Sequence, residues 1–108
     1  AYVLDLRANL GGVVEGALDI AGLFMHRDVP AVRVRDRNGS ESVLYAKEVG
    51  KRDVLTKPMV VVTDRRSASA SEVLLVALRD NCRALSVGET TYGKGVIQGT
   101  AAIDHCRC

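Results

Sequence analysis

What this chain lacks narrows it first. No apolar run approaches the roughly 18 residues that a membrane-spanning helix requires, and no block of five like charges occurs among its 15 basic and 13 acidic residues. With a formal net charge of +2, it carries no electrostatic footprint of nucleic-acid or membrane binding. Histidine is scarce: His26 falls near the end of an expected helix and His105 in a polar tail, so no Ser/His/Asp set and no metal-ligand spacing emerges. Cysteine is scarce too, and Cys106-Arg107-Cys108 is too tight for an ordinary disulfide or a C-x-x-C half-site, so two free terminal thiols are expected beside Cys82. Internal repeats, low-complexity tracts and a signal-peptide pattern are absent. Because Tyr2-Val3-Leu4 already reads as a core strand, the chain is expected to start inside a longer fold, and the missing signal carries no information.

What is present is the composition of one globular domain with a modest core: 108 residues, 47% apolar and 26% charged. Asp5-Leu6-Arg7 closes the first apolar run and leads into the turn Asn9-Leu10-Gly11-Gly12. Val14, Ala17, Leu18, Ala21 and Met25 then recur at steps of three and four, which predicts an amphipathic helix ended by Asp28-Val29-Pro30. Residues 31–36 and 42–45 alternate about Asn38-Gly39, a strong hairpin signal, with Arg33, Arg35 and Arg37 on the wet face of a strand. Residues 49–57 are charged and irregular.

Met59-Val60-Val61-Val62-Thr63 is a continuous apolar run, which predicts a strand buried on both faces of a parallel sheet. Residues 69–80 are predicted helical with Val73, Leu74, Ala77 and Leu78 inward, and residues 84–87 and 96–103 are predicted strands. Strand–helix–strand thus occurs twice, and the economical architecture is an α/β layer of βαβ units.

Ser69 stands three residues ahead of Glu72 at the head of an apolar helix, the capping-box pattern S-x-x-E, and on spacing alone a cap is the simpler reading. The same place suits a nucleophile. A helix N-terminus offers unpaired N–H groups and a partial positive charge, so the Ala70 amide is placed to donate to an oxyanion formed beside Ser69. Lys94, between Gly93 and Gly95, has the setting of a solvated turn tip. To activate a serine hydroxyl it must fall by roughly three pK units from about 10.4, equivalent to about 4 kcal/mol of desolvation or nearby positive charge. The two glycines permit the close approach such burial needs, and Gln98 has the reach to orient the amine.

Gly88-x-x-x-x-Gly93-Lys94 also approaches a phosphate-cradling P-loop. Gly95 stands where Ser or Thr would hold magnesium, however, and the residues that follow read as strand rather than helix. Gly11-Gly12 reads either as a strand-to-helix turn needing positive φ or as a backbone N–H aimed at a ligand.

Three segments taken together, Asp5-Leu6-Arg7-Ala8-Asn9-Leu10-Gly11-Gly12, Ser67-Ala68-Ser69-Ala70-Ser71-Glu72 and Gly88-Glu89-Thr90-Thr91-Tyr92-Gly93-Lys94-Gly95-Val96-Ile97-Gln98, resemble the carboxyl-terminal processing peptidases. These are the tail-specific Ser–Lys proteases of peptidase family S41, and the resemblance runs from residue 1 to about 103. It implies a crotonase-like β/α spiral, with Ser69 as nucleophile between Ser67 and Ser71, Lys94 as general base and Gln98 holding that lysine. The amides of Gly12 and Ala70 are the implied oxyanion hole. The implied reaction is peptide hydrolysis near the accessible C-terminus of a protein substrate, through an acyl-enzyme and without metal or cofactor.

Family members carry an upstream PDZ domain, which is expected in the full-length protein, and they work in the bacterial envelope (periplasm) or the thylakoid lumen. Leu10 stands where the family often has proline or a polar residue, and Asp104-His105-Cys106-Arg107-Cys108 diverges from the family pattern. The expected organisation is therefore a partial catalytic core over residues 1–103 and a polar tail over 104–108. Two other readings stay open: a non-catalytic ligand-binding module of the same fold, against which the retained Ser69 and Lys94 argue, and a truncated fragment acting only by association through exposed apolar edges.

Overall fold

In the computed structural model, residues 1–47 and 53–93 are described. Within them the chain runs β1 (Tyr2–Asp5), α1 (Val14–Ala21), β2 (Pro30–Arg35), β3 (Glu41–Tyr45), β4 (Met59–Thr63), α2 (Ala70–Asp80) and β5 (Leu85–Gly88). Strands β1, β4 and β5 form a parallel sheet with β4 in the middle, while β2 and β3 pair antiparallel in a separate ribbon. The α/β class with a parallel sheet is the one the sequence predicts. The predicted strand over residues 96–103, the polar tail and residues 49–52 of the irregular stretch lie outside the described residues.

The central place of β4 follows from its side chains. Val61 is fully buried, and Met59 and Thr63 on the same face are 4% and 5% exposed. That face meets α1 and α2, where Ala17, Leu18, Ala21, Val73, Leu74, Ala77 and Leu78 complete one continuous core. Burying a Leu or Val in such a core stabilises by about 1.5–3 kcal/mol relative to leaving it in water. The inward face predicted for α2 is the one observed.

The second face of β4 differs from expectation. Val60 and Val62 are only half-buried. Val3 and Leu85, which flank Val60 in the register, are 73% and 72% exposed. The continuous apolar run predicts cover on both sides, but α1 and α2 both pack on one.

Helix α1 also ends sooner than its periodicity suggests. Leu18 accepts from the amides of both Gly22 and Lys47 (3.0 and 3.1 Å), and a side chain at Gly22 would run into the Lys47 carbonyl. The crossing strand end breaks the helix there. Tight turns from Ile20 and Ala21 to Leu23, Phe24 and Met25 carry the apolar stripe onward, so Met25 is still buried.

In the hairpin, the Asp36 amide donates to the Ser40 carbonyl at 2.9 Å and Gly39 takes φ +85°. This is a three-residue turn with glycine in the left-handed position rather than a two-residue Asn-Gly turn. Asp36 Oδ1 accepts from the amides of Asn38 and Ser40 and fixes it. Arg33 and Arg35 lie exposed on β2 as expected, whereas Arg37 belongs to the turn.

Candidate active site

Because β1 and β4 run parallel and in register, the loops leaving their C-terminal ends emerge side by side. They are joined by hydrogen bonds. Ser67, fully buried, donates its hydroxyl to the Leu6 carbonyl at 2.7 Å and accepts from the Asp64 amide at 3.0 Å. Asp64 Oδ1 accepts from the Ala8 and Arg66 amides at 3.0 and 2.9 Å, and the Ala68 amide donates to the Asn9 carbonyl at 3.0 Å. An Asx turn, with the Gly11 amide on Asn9 Oδ1 at 2.9 Å, then folds residues 9–12 toward the head of α2.

At that head stands Ser69, with φ +57° and ψ −122°. An ordinary N-cap sits in the β region. A non-glycine residue held at such angles costs about 1–3 kcal/mol and persists only where its surroundings over-determine it. Ser69 Oγ lies within capping-box reach of the Glu72 amide. That amide donates instead to the Ser69 carbonyl at 2.9 Å, and the hydroxyl makes no side-chain cap hydrogen bond. Only the reverse half of the box is well formed, from the Ser69 amide to Glu72 Oε2 at 2.9 Å. The cap reading thus accounts for Glu72, while the serine hydroxyl sits at capping-box reach without a well-aligned cap hydrogen bond.

The 9–12 turn packs directly on this serine. A Cβ at Gly11 would lie 2.5 Å from the Ala68 carbonyl oxygen and 2.8 Å from both Ala70 N and Ser69 Cβ. The absence of a side chain lets the turn reach the first residue of α2. Gly12 follows with nothing within 4 Å of its Cβ position. Ser69, Ala70 and the turn ending in Gly12 are therefore brought together.

The chain beyond β5 arrives at the same place. The Glu89 amide donates to the Thr63 carbonyl, the Thr63 hydroxyl donates to the Glu89 carbonyl, and the Tyr92 amide donates to the Ser67 carbonyl, each at 3.0 Å. The Thr91 hydroxyl and the Gly93 amide both donate to Glu72 Oε1 at 2.8 Å. Gly93 immediately precedes Lys94, but Lys94 and Gln98 themselves lie outside the described residues.

Sequence reasoning read Gly11 only as part of a turn and Ser67 only as a flanking serine, gave Asp64 and Thr91 no role, and took Glu72 for half of a cap. Only the Gly11-Gly12 pair and the S-x-x-E spacing carried any signal of them. Around the site the charges are paired. Arg7, Arg65 and Arg66 line a shallow pocket at the sheet's C-terminal edge and bridge to Asp5, Glu89 and Asp64 at 2.7, 3.1 and 3.4 Å. Hydrogen bonds from the Arg7 guanidinium hold the Asp5 carboxyl down at about 2. The Ala8 amide, followed by the Arg66 amide, lowers Asp64, so both loop-holding acids are ionised at neutral pH.

The model of peptidase family S41 matches residues 1–106. This chain belongs to peptidase family S41. Carboxyl-terminal-processing peptidase 1, chloroplastic, of Arabidopsis thaliana is 40% identical over 97 residues, covering 90% of this chain and 19% of the relative. The carboxy-terminal processing protease CtpA of Bacillus subtilis is 38% identical over 103 residues, covering 95% of this chain and 22% of the relative. This S41 chain therefore spans only about a fifth of those proteins.

Among solved structures, a photosystem II D1 C-terminal processing protease superposes with a TM-score of 0.73 at 37% identity, covering 85% of this chain and 23% of that one. The α/β arrangement described above is thus the S41 fold.

Proposed function

We infer that this S41 segment is part of the catalytic core of a serine endopeptidase that cleaves near substrate C-termini, with residues 1–103 as core and 104–108 as a divergent tail. One observation carries the reading. Ser69 takes a strained positive φ at the head of α2, the Gly11 turn packs against it, and Glu72 ties its amide to the Gly93 amide that leads into Lys94. In this reading Ser69 Oγ attacks the scissile carbonyl and its proton passes to Lys94, which Gln98 holds in place. The oxyanion is met by the Gly12 and Ala70 amides, the second strengthened by its position at a helix N-terminus. Lys94 returns the proton to the leaving amine, and water then hydrolyses the acyl-serine. The scheme uses no metal or cofactor. Choice of substrate falls to a PDZ domain upstream in the longer protein, which would hold the C-terminus of a protein substrate.

The test is cleavage of an unstructured protein by the wild type, Ser69→Ala and Lys94→Ala. Both variants are expected to be inactive, and the wild-type rate to rise with pH as the lysine amine loses its proton. Equal cleavage by all three refutes the Ser–Lys mechanism. Inactivity of all three, with tight uptake of a hydrophobic fluorophore, would point to a binding module on the same fold.

A further inference from the structure

Glu72 does more than a helix cap requires. It is 9% exposed in the first turn of α2, and its carboxylate accepts three hydrogen bonds. Oε2 takes the Ser69 amide at 2.9 Å, while Oε1 takes the Thr91 hydroxyl and the Gly93 amide, both at 2.8 Å. The first bond is local. The other two reach 19 and 21 residues along the chain, to the segment that leads into Lys94.

We propose that Glu72 is a positioning residue that sets the spacing between the nucleophile Ser69 and the chain entering Lys94, an inference that rests on the Ser–Lys reading above. The physical case lies in the shape of the group. Covalent geometry fixes the two oxygens of one carboxylate, so donors gathered on opposite oxygens are held at a set separation. Charge-assisted hydrogen bonds are roughly twice as strong as neutral ones, and burial strengthens them further. One side chain thus ties the strained backbone of Ser69 to Gly93, and the Tyr92 amide on the Ser67 carbonyl at 3.0 Å supports the same alignment. Glu72 acts through these backbone groups and carries no proton in the reaction.

Glu72→Gln isolates this role, because it keeps size and shape but turns one oxygen into an NH2. That group faces a donor, so either the Ser69 amide or the Thr91–Gly93 pair loses its acceptor. Amide hydrogen exchange at Ser69 or Gly93 is expected to accelerate about ten- to a hundredfold, while exchange at Leu78 in the last turn of α2 stays unchanged. In cleavage assays kcat is expected to fall at least about tenfold with KM within about twofold of wild type, the signature of lost alignment rather than lost substrate binding. Thr91→Val, which removes one donor and leaves the carboxylate, should move kcat the same way by a smaller factor.

An unchanged kcat in Glu72→Gln overturns the proposal, and so does a loss matched by faster exchange at Leu78, which would mean simple unravelling of the helix. Ser69→Ala and Lys94→Ala run alongside. If they cleave like wild type, the Ser–Lys reading fails. If they are inactive while Glu72→Gln is unimpaired, the positioning role alone fails.

Discussion

Gly11→Ala probes whether contact between the 9–12 turn and Ser69 builds the site. Two costs can be separated. Gly11 has φ +92°, and an L-residue in left-handed backbone costs about 1–2 kcal/mol. Its new methyl would also lie 2.5 Å from the Ala68 carbonyl oxygen and 2.8 Å from Ala70 N and Ser69 Cβ, all of which are backbone or Cβ atoms that cannot swing aside. Overpacking of this kind costs about 1–3 kcal/mol.

The total is about 3 kcal/mol, which for a domain of this size lowers Tm by about 12–24 °C. Gly39→Ala is the internal control, because Gly39 has φ +85° but nothing within 4 Å of its Cβ position, so only the backbone cost applies. It should lose about 4–16 °C for that cost of about 1–2 kcal/mol. Thermal unfolding followed by circular dichroism measures both, and the difference between them is the contact cost. Cleavage measured well below either transition should fall about a hundredfold in Gly11→Ala, because the turn can fit only by displacing Ser69 or Ala70, and it should be unchanged in Gly39→Ala. Equal melting of the two variants, or full cleavage by Gly11→Ala, refutes the packing argument.

The two neighbouring serines should behave in opposite ways. Ser67→Ala strips partners from the Leu6 carbonyl and the Asp64 amide in a fully buried site and should cost about 1–3 kcal/mol in thermal or denaturant unfolding. Ser69→Ala removes a hydroxyl with no well-aligned cap hydrogen bond and should cost less than Ser67→Ala in unfolding while abolishing cleavage; the reverse ranking would overturn the assignment. Acid sensitivity should trace in part to Asp64. Its pKa is lowered in the folded state, so its contribution to stability is present above the unfolded value of 3.8 and is lost as pH falls through the lower folded value. Asp64→Asn should therefore flatten the decline of Tm with acid below about pH 4, whereas parallel Tm–pH curves would show that the Ala8 and Arg66 hydrogen bonds carry no such linkage.

Much of the fold was legible because its signals are local. The three- and four-residue steps of Val73, Leu74, Ala77 and Leu78 arise from the helix's own geometry, and the apolar run of residues 59–63 matches a central strand whatever lies around it. Where a local signal met a non-local neighbour, the neighbour prevailed. The Lys47 backbone crossing Gly22 ended α1 early, and placement of both helices on one side left Val3 and Leu85 exposed beside a strand that reads as doubly buried. The Asn38-Gly39 signal located the hairpin, but Asp36 chose its turn by accepting two amides.

By itself, then, the sequence determined which elements form, their order, and a family resemblance carried by three separated motifs. It also placed a serine at a helix mouth, where a cap and a nucleophile look alike. Only the tertiary structure decided which groups gather around that serine. Parallel pairing of β1 with β4 delivers two loops to one edge, the missing side chain of Gly11 lets them touch, and Ser69 takes a positive φ where they meet. Glu72 shows the division most plainly. Its bond to Ser69 is written in a spacing of three residues, whereas its bonds to Thr91 and Gly93 exist only because β5 returns beside β4 and carries that segment back to the head of α2. Spacing along a chain sets what neighbours do to each other; register between strands sets which distant groups become neighbours.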